Sequence, residues 1–255
     1  MEVLKTIDKT LIIEISYAGL GDHLFHSHIP RIAKESGKYD AVYLSNYSKF
    51  GHPDYKKLIW EMNPFLDGFV DEPGIKCDVA NCVEKVNPSS DTNLLDQVMY
   101  WYQLDNGLTW NNPEVYYQAK YRAEFAHAIY DPNFVSWIGN VIDEDAMIYF
   151  KKNKIHFDYI MKLRGNKTLF IPNDTTKFIE TPTLFDFCDL IHSCKQLYCL
   201  TSGTATLASA LGKPAIVFWG IEQNTGFQHY KQHSYRLIQR DFWNRIKRKL
   251  KLKSH

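Results

Sequence analysis

Cysteine pairs in metal-binding spacing are missing from this chain. Its five cysteines, Cys77, Cys82, Cys188, Cys194 and Cys199, are odd in number and none forms a CxxC. That pattern argues against a disulfide framework and against a structural zinc site. Charge of one sign is lacking too. The 30 Lys and Arg against 29 Asp and Glu leave a net charge of +1, too little for a general nucleic-acid binder, so no nucleic-acid partner is expected. No apolar run reaches the roughly 20 residues of a membrane span. Met1–Thr10 is polar, so no secretory leader is expected. The expectation is a soluble, reduced, cytoplasmic protein. Apolar material is plentiful nonetheless: 16 Tyr, 15 Phe and 6 Trp within 255 residues suffice for one large domain or two small ones.

Strand and helix patterns alternate in the first part of the chain. Thr10–Ser16 is rich in β-formers, His23–Ser36 reads as a helix, and Asp40–Ser45 as the next strand. Lys56–Met62 follows as a helix and Gly68–Val70 as a short strand. Such alternation predicts a parallel α/β sheet. From about Cys77 to Leu163 the chain is richer in Trp, Tyr, Asn and Asp, with Glu114–Tyr130 read as a long helix. The strand pattern restarts at Lys167–Pro172, and Leu184–Ser193 reads as an amphipathic helix.

Two small-residue turns carry the chemistry. Gln196–Leu200 reads as a buried strand and Thr201–Thr204 as a capping turn. Ala205–Leu211 is a run of good helix formers closed by Gly212, and Ala215–Trp219 is a second strand. Free N–H groups at such a helix start can bind a phosphate or diphosphate. Upstream, Gly19-Leu20-Gly21-Asp22 also follows a strand and opens a helix. The third glycine of a dinucleotide fingerprint is replaced by Leu24, which weakens an NAD reading. Asp22 fits two roles, a cap for the helix N–H groups or a general base beside a substrate hydroxyl.

Taken together, AGLGDHLFHSHIPRIAK and Leu184–Gly220 resemble the two signature segments of the heptosyltransferase-like glycosyltransferases of family 9. The resemblance covers Leu11–Lys34 and Leu184–Gly220, about a quarter of the chain. It implies a GT-B-like α/β fold, with two Rossmann-like lobes facing a cleft and a reduced C-terminal lobe. By that analogy residues 1–150 are the acceptor lobe with its aromatic-rich middle, 151–239 the nucleotide-sugar lobe, and 240–255 a basic tail. Asp22 would be the base, with Gly19 and Gly21 shaping its turn, and Thr201, Ser202, Gly203, Thr204 and Ala205 would line the donor diphosphate. No metal and no cofactor are implied, the nucleotide-sugar being a substrate and the acceptor a bacterial surface glycan or glycolipid. A non-catalytic nucleotide- or glycan-binding protein on the same scaffold is the alternative.

Other candidates keep two readings each. His23 and His26 sit after Asp22 and could contact the acceptor or simply pack; their i,i+3 spacing also occurs in metal ligation, but no further ligand completes such a set. Glu222, after the last strong strand, could hold the donor ribose or sugar, or start a helix. Arg31, Arg122 and Arg164 are possible phosphate clamps. In Arg240–His255, seven Lys and Arg surround Phe242, Ile246 and Leu250 on one helical face. That pattern suits either peripheral contact with an anionic membrane, at the inner membrane face, or a solvated helix.

Overall fold

The computed structural model describes residues 9–86, 91–162, 167–170 and 177–239. Two parallel sheets organise them. The first has the order β3-β2-β1-β4, from β1 (Thr10–Glu14), β2 (Ala41–Ser45), β3 (Gly68–Val70) and β4 (Ile75–Lys76). Parallel pairing needs crossover connections, and helices α1 (Leu20–His26) and α2 (Ile29–Glu35) link β1 to β2. They are two helices rather than the single one expected over His23–Ser36. Pro30 lies in the first turn of α2, where its missing N–H is harmless. In an unbroken helix its ring would press on the carbonyl of residue 26. After β2, a short helix α3 (Pro53–Tyr55) loosens into a π turn over Lys56–Glu61.

The second sheet has six parallel strands in the order β12-β11-β10-β5-β7-β9. Its members are β5 (Ala128–Asp131), β7 (Tyr159–Met161), β9 (Lys177–Ile179), β10 (Gln196–Leu200), β11 (Ala215–Gly220) and β12 (Ser234–Ile238). A two-residue pair, β6 (Asn133–Phe134) with β8 (Lys167–Thr168), stands beside it. Helices α4 (Val79–Lys85), α5 (Leu94–Trp101), α6 (Asp143–Lys152), α7 (Leu184–Ser193) and α8 (Gly203–Ala210) complete the set. Gly212, at φ +66°, closes α8 in the left-handed conformation that suits glycine.

Two features of the sheets bear on the expected lobes. The second sheet draws its inner strand β5 from upstream of residue 151. Among the described residues this sheet has six strands against four in the first, so no reduction shows in it. The reading of Glu114–Tyr130 as a helix does not hold. The chain there runs irregularly to a 3-10 turn at Ala123–Phe125 and then enters β5. Its polar groups are satisfied from afar. Glu114 N donates to Ser27 Oγ at 2.8 Å, Lys120 N to Asp189 Oδ1 at 2.8 Å and Arg122 N to Ser193 Oγ at 2.8 Å. The Arg240–His255 tail lies outside the described residues, as does Arg164.

One buried cluster runs from Leu11, Ile13, Val42 and Leu44 of the first sheet to Leu197, Cys199 and Val217 of the second. Leu24 and Phe25 of α1, with Ala205, Leu207 and Ala208 of α8, form its middle. Here the two helices come closest. A Cβ on Gly203 would stand 3.0 Å from Leu20 Cβ and 3.1 Å from Gly21 N, whereas one on Gly21 would rest 3.6 Å from Gly203 Cα. The contact is therefore asymmetric. Gly203→Ala should cost about 1–3 kcal/mol through overpacking, whereas Gly21→Ala should be neutral or stabilising by up to about 1 kcal/mol, alanine being the better helix former, as read from urea unfolding midpoints. Equal midpoints for the two variants would contradict this packing.

Candidate functional site

Gly19 begins α1 with extended backbone, φ −74° and ψ 150°, and offers no side chain as a cap. Asp22, three residues on, fills that role. Its carboxylate folds back over Gly19, towards the backbone N–H groups of Gly19 and Asp22 itself. A Cβ on Gly19 would lie 2.6 Å from Asp22 Oδ2, so glycine is what permits the approach. Burial raises the Asp22 pKa above its ordinary 3.8, opposed by the two N–H groups. The carboxylate thus caps the helix and is also partly desolvated, which favours proton uptake.

The second turn is built differently. Ser202 is the N-cap of α8 with extended backbone, yet its side chain makes no capping hydrogen bond. Its Oγ is buried without a protein partner. The start of α8 therefore presents a hydroxyl and uncapped N–H groups together, a suitable arrangement for an anion. Around it the turn is fixed by polar pairs. Thr204 Oγ1 donates to Asp131 Oδ2 at 2.6 Å, and Asp131 Oδ1 accepts from Asn133 N at 3.1 Å and Asn133 Nδ2 at 2.6 Å. Thr201 Oγ1 donates to Gln223 Oε1 at 2.8 Å. Ala205, fully inside, donates its N–H to Ser202 O at 3.0 Å and lends its carbonyl to His233 Nε2 at 2.9 Å. Because Gly21 and Gly203 abut, the Asp22 turn and the Ser202 turn open at one junction between the two sheets.

Glu222 starts no helix. It has a left-handed backbone, φ +71°, and its carboxylate accepts a hydrogen bond from Asn140 Nδ2. His23 is placed in the core rather than at a surface. Its Nε2 donates to Lys49 O at 2.9 Å, its Nδ1 accepts from Trp60 Nε1 at 3.0 Å, and its ring stacks on Phe50. No nitrogen is left for a substrate, which corrects that expectation. His26 donates Nδ1–H to Asp22 O at 2.7 Å, leaving Nε2 buried and unpartnered. It lies edge-on to Tyr102, nearly inaccessible. Arg31 is held by Glu114 and Glu35, and Arg122 by Asp186 and Glu124, so neither is a free clamp. Among the described residues no group of three or more His, Cys, Asp or Glu is placed to hold a metal ion.

Asp131, Gln223 and Trp137 belong to this site and went unpredicted. Asp131 ends an apolar run, AIYD, at the carboxyl edge of a strand. An acid closing a short β-branched and aromatic run is the sequence signal that marks it.

Neither a protein-family model nor a curated protein sequence matches the chain. Solved structures do. A glycosyl transferase family 9 protein from Veillonella parvula superposes with a TM-score of 0.53 at 8% identity, covering 95% of this chain and 88% of that one. The Escherichia coli ADP-heptose LPS heptosyltransferase II gives 0.52 at 11% identity, covering 90% and 89%. The iron-containing dodecameric glycosyltransferase TibC of enterotoxigenic E. coli gives 0.59 at 14% identity, covering 91% of this chain and only 64% of TibC. At such identities the likeness is one of fold: a mixed α/β architecture with parallel sheets, as in GT-B-like glycosyltransferases.

Burial holds His23, His26, His229 and His233 neutral, their pKa values pushed down from 6.5 to about 4, and His28 down to about 3. Below pH 6.5 the unfolded chain takes up protons that the folded chain refuses. Stability should therefore fall as pH drops from 6.5 towards 4, because each of these histidines is charged in the unfolded chain and neutral in the folded one. A urea midpoint that declines steadily over that window is expected. A flat one would contradict the buried placement.

Proposed function

We propose that the protein is a glycosyltransferase that moves a sugar from a nucleotide-sugar to a glycan or glycolipid acceptor of the bacterial surface. The observation that carries this reading is the meeting of two turns, one bearing a partly desolvated acid and the other an uncapped, hydroxyl-bearing helix start. The fold likeness supports it. One solved TibC complex holds ADP-D-β-D-heptose, and another neighbour is an ADP-heptose heptosyltransferase, so both act as precedents for a nucleotide-sugar on this architecture.

In this reading the donor diphosphate rests on Ser202, Gly203 and Thr204, with Thr201 and Ala205 shaping the turn. The acceptor oxygen attacks the anomeric carbon while Asp22 takes its proton. The bond from that carbon to the diphosphate breaks, and the growing negative charge is met by N–H groups at the helix start, whose stabilising effect is greatest in the transition state. Attack opposite the leaving group inverts the anomeric configuration. The residues supply the proton acceptor and the anion site themselves, so the proposed step is metal-independent. No helix among the described residues is long and apolar enough to cross a membrane. The proposed site of action is the cytoplasmic face, with the basic tail 240–255 resting on anionic lipid.

The engagement of Asp22 in capping favours a second reading, in which the site binds nucleotide-sugar without turnover. Both readings predict a rise in melting temperature with a nucleoside diphosphate, since ligand bound only by the folded state stabilises it. They part on Asp22→Asn. As a general base, Asp22 should be worth about 10²–10⁴ in the transfer rate, with nucleoside diphosphate affinity nearly unchanged. The acid limb of the pH–rate profile should sit above the ordinary aspartate value, as the raised pKa requires. Unchanged transfer in Asp22→Asn would refute the base assignment.

A further inference from the structure

Residues 135–141, which follow β6, are pressed onto the end of β11. Gly220 N donates to Ile138 O at 2.7 Å, and Asn140 N donates to Ile221 O at 2.7 Å. Between them Gly139 adopts φ +96°, and a Cβ there would stand 2.3 Å from Gly220 O. Only glycine fits, and the segment's path is fixed as a result. Trp137 lies in this held segment. Its carbonyl accepts Gln223 Nε2 at 3.2 Å, and the other end of the same amide takes the Thr201 hydroxyl at 2.8 Å. A single side chain thus ties Trp137 to the first residue of the anion turn.

The indole itself is bare. Trp137 is 53% exposed, beside Val135 and Ile221, which are also exposed, and it has no ring partner among the described residues. A large aromatic held on rigid backbone yet left in water marks an interaction site more than a packing choice. Next to it, Glu222 keeps an oriented carboxylate on Asn140 in a left-handed conformation that is costly for a residue with a Cβ. Along this edge the chain therefore presents an anion turn, a fixed carboxylate and an aromatic face. A nucleoside diphosphate presents phosphates, vicinal ribose hydroxyls and a planar base.

We propose that Trp137 is the platform on which the nucleobase of the donor stacks. The inference rests on the reading of this junction as a nucleotide-sugar site and names the part of it that recognises the nucleoside. Stacking reads a π-face, so the platform supplies affinity for the base more than a choice among bases.

Calorimetric titration of ADP, GDP, UDP, CDP and inorganic diphosphate into the full chain tests this. The wild type should bind at least one nucleoside diphosphate more tightly than inorganic diphosphate. Trp137→Ala should weaken that nucleotide by about tenfold and leave inorganic diphosphate unchanged, while Trp137→Phe keeps most of the affinity. An unaltered melting curve would show that the exposed substitution leaves the fold intact. Equal nucleotide affinity in wild type and Trp137→Ala, or an equal loss of both ligands, would overturn the inference alone. A wild type that binds none of the five ligands would overturn the nucleotide-sugar reading together with it.

Discussion

The structure depends on one close approach, the start of α1 against the start of α8. Two parallel sheets each bring a helix N-terminus to the junction, and only the absence of a side chain on Gly203 lets them touch there. Everything attributed to the site follows from that contact. The Asp22 carboxylate comes from the first sheet's unit and the Ser202 turn from the second, and neither alone is more than a helix start. Buried apolar residues of both helices hold the pair together, so the geometry is part of the core rather than an attachment to it.

Buried polar groups then fix the surroundings. Asp131 locks Thr204, while Asp96 accepts from Asn93 N, Trp110 N and Asn111 N and gathers the irregular middle of the chain. Asp189 accepts from the Tyr117 hydroxyl and Lys120 N. Each carboxylate satisfies backbone N–H groups that have no ladder to join, which is how a long irregular segment can run beside a core without unpaired donors. That role makes Asp96, Asp131 and Asp189 structural in the fold.

The parallel architecture was legible from strand–helix alternation, and the run from Leu184 to Gly220 was read nearly to its boundaries because its periodicity and its glycine punctuation agree. Both turns of the site were legible for the same reason. What escaped reading was set by distant partners. Glu114–Tyr130 has acceptable helix composition, but its backbone is claimed by Ser27, Asp189 and Ser193, 71 to 87 residues away for the Arg122 and Glu114 bonds. The burial of His23 depends on Trp60 and Lys49, which no local pattern announces. Trp137 and Gln223 joined the site only through a hydrogen-bond chain that crosses the sheet edge.

The central claim is that the two helix starts act as one ligand-facing surface. Hydrogen–deuterium exchange with and without a nucleoside diphosphate at saturation tests this directly, because the first amides of a helix exchange freely until an acceptor engages them. The account predicts slowed exchange upon binding at Gly203 and Thr204, which the diphosphate engages, and at the abutting Leu20 and Gly21, which it covers. Slowing confined to segments away from both helix starts would contradict it.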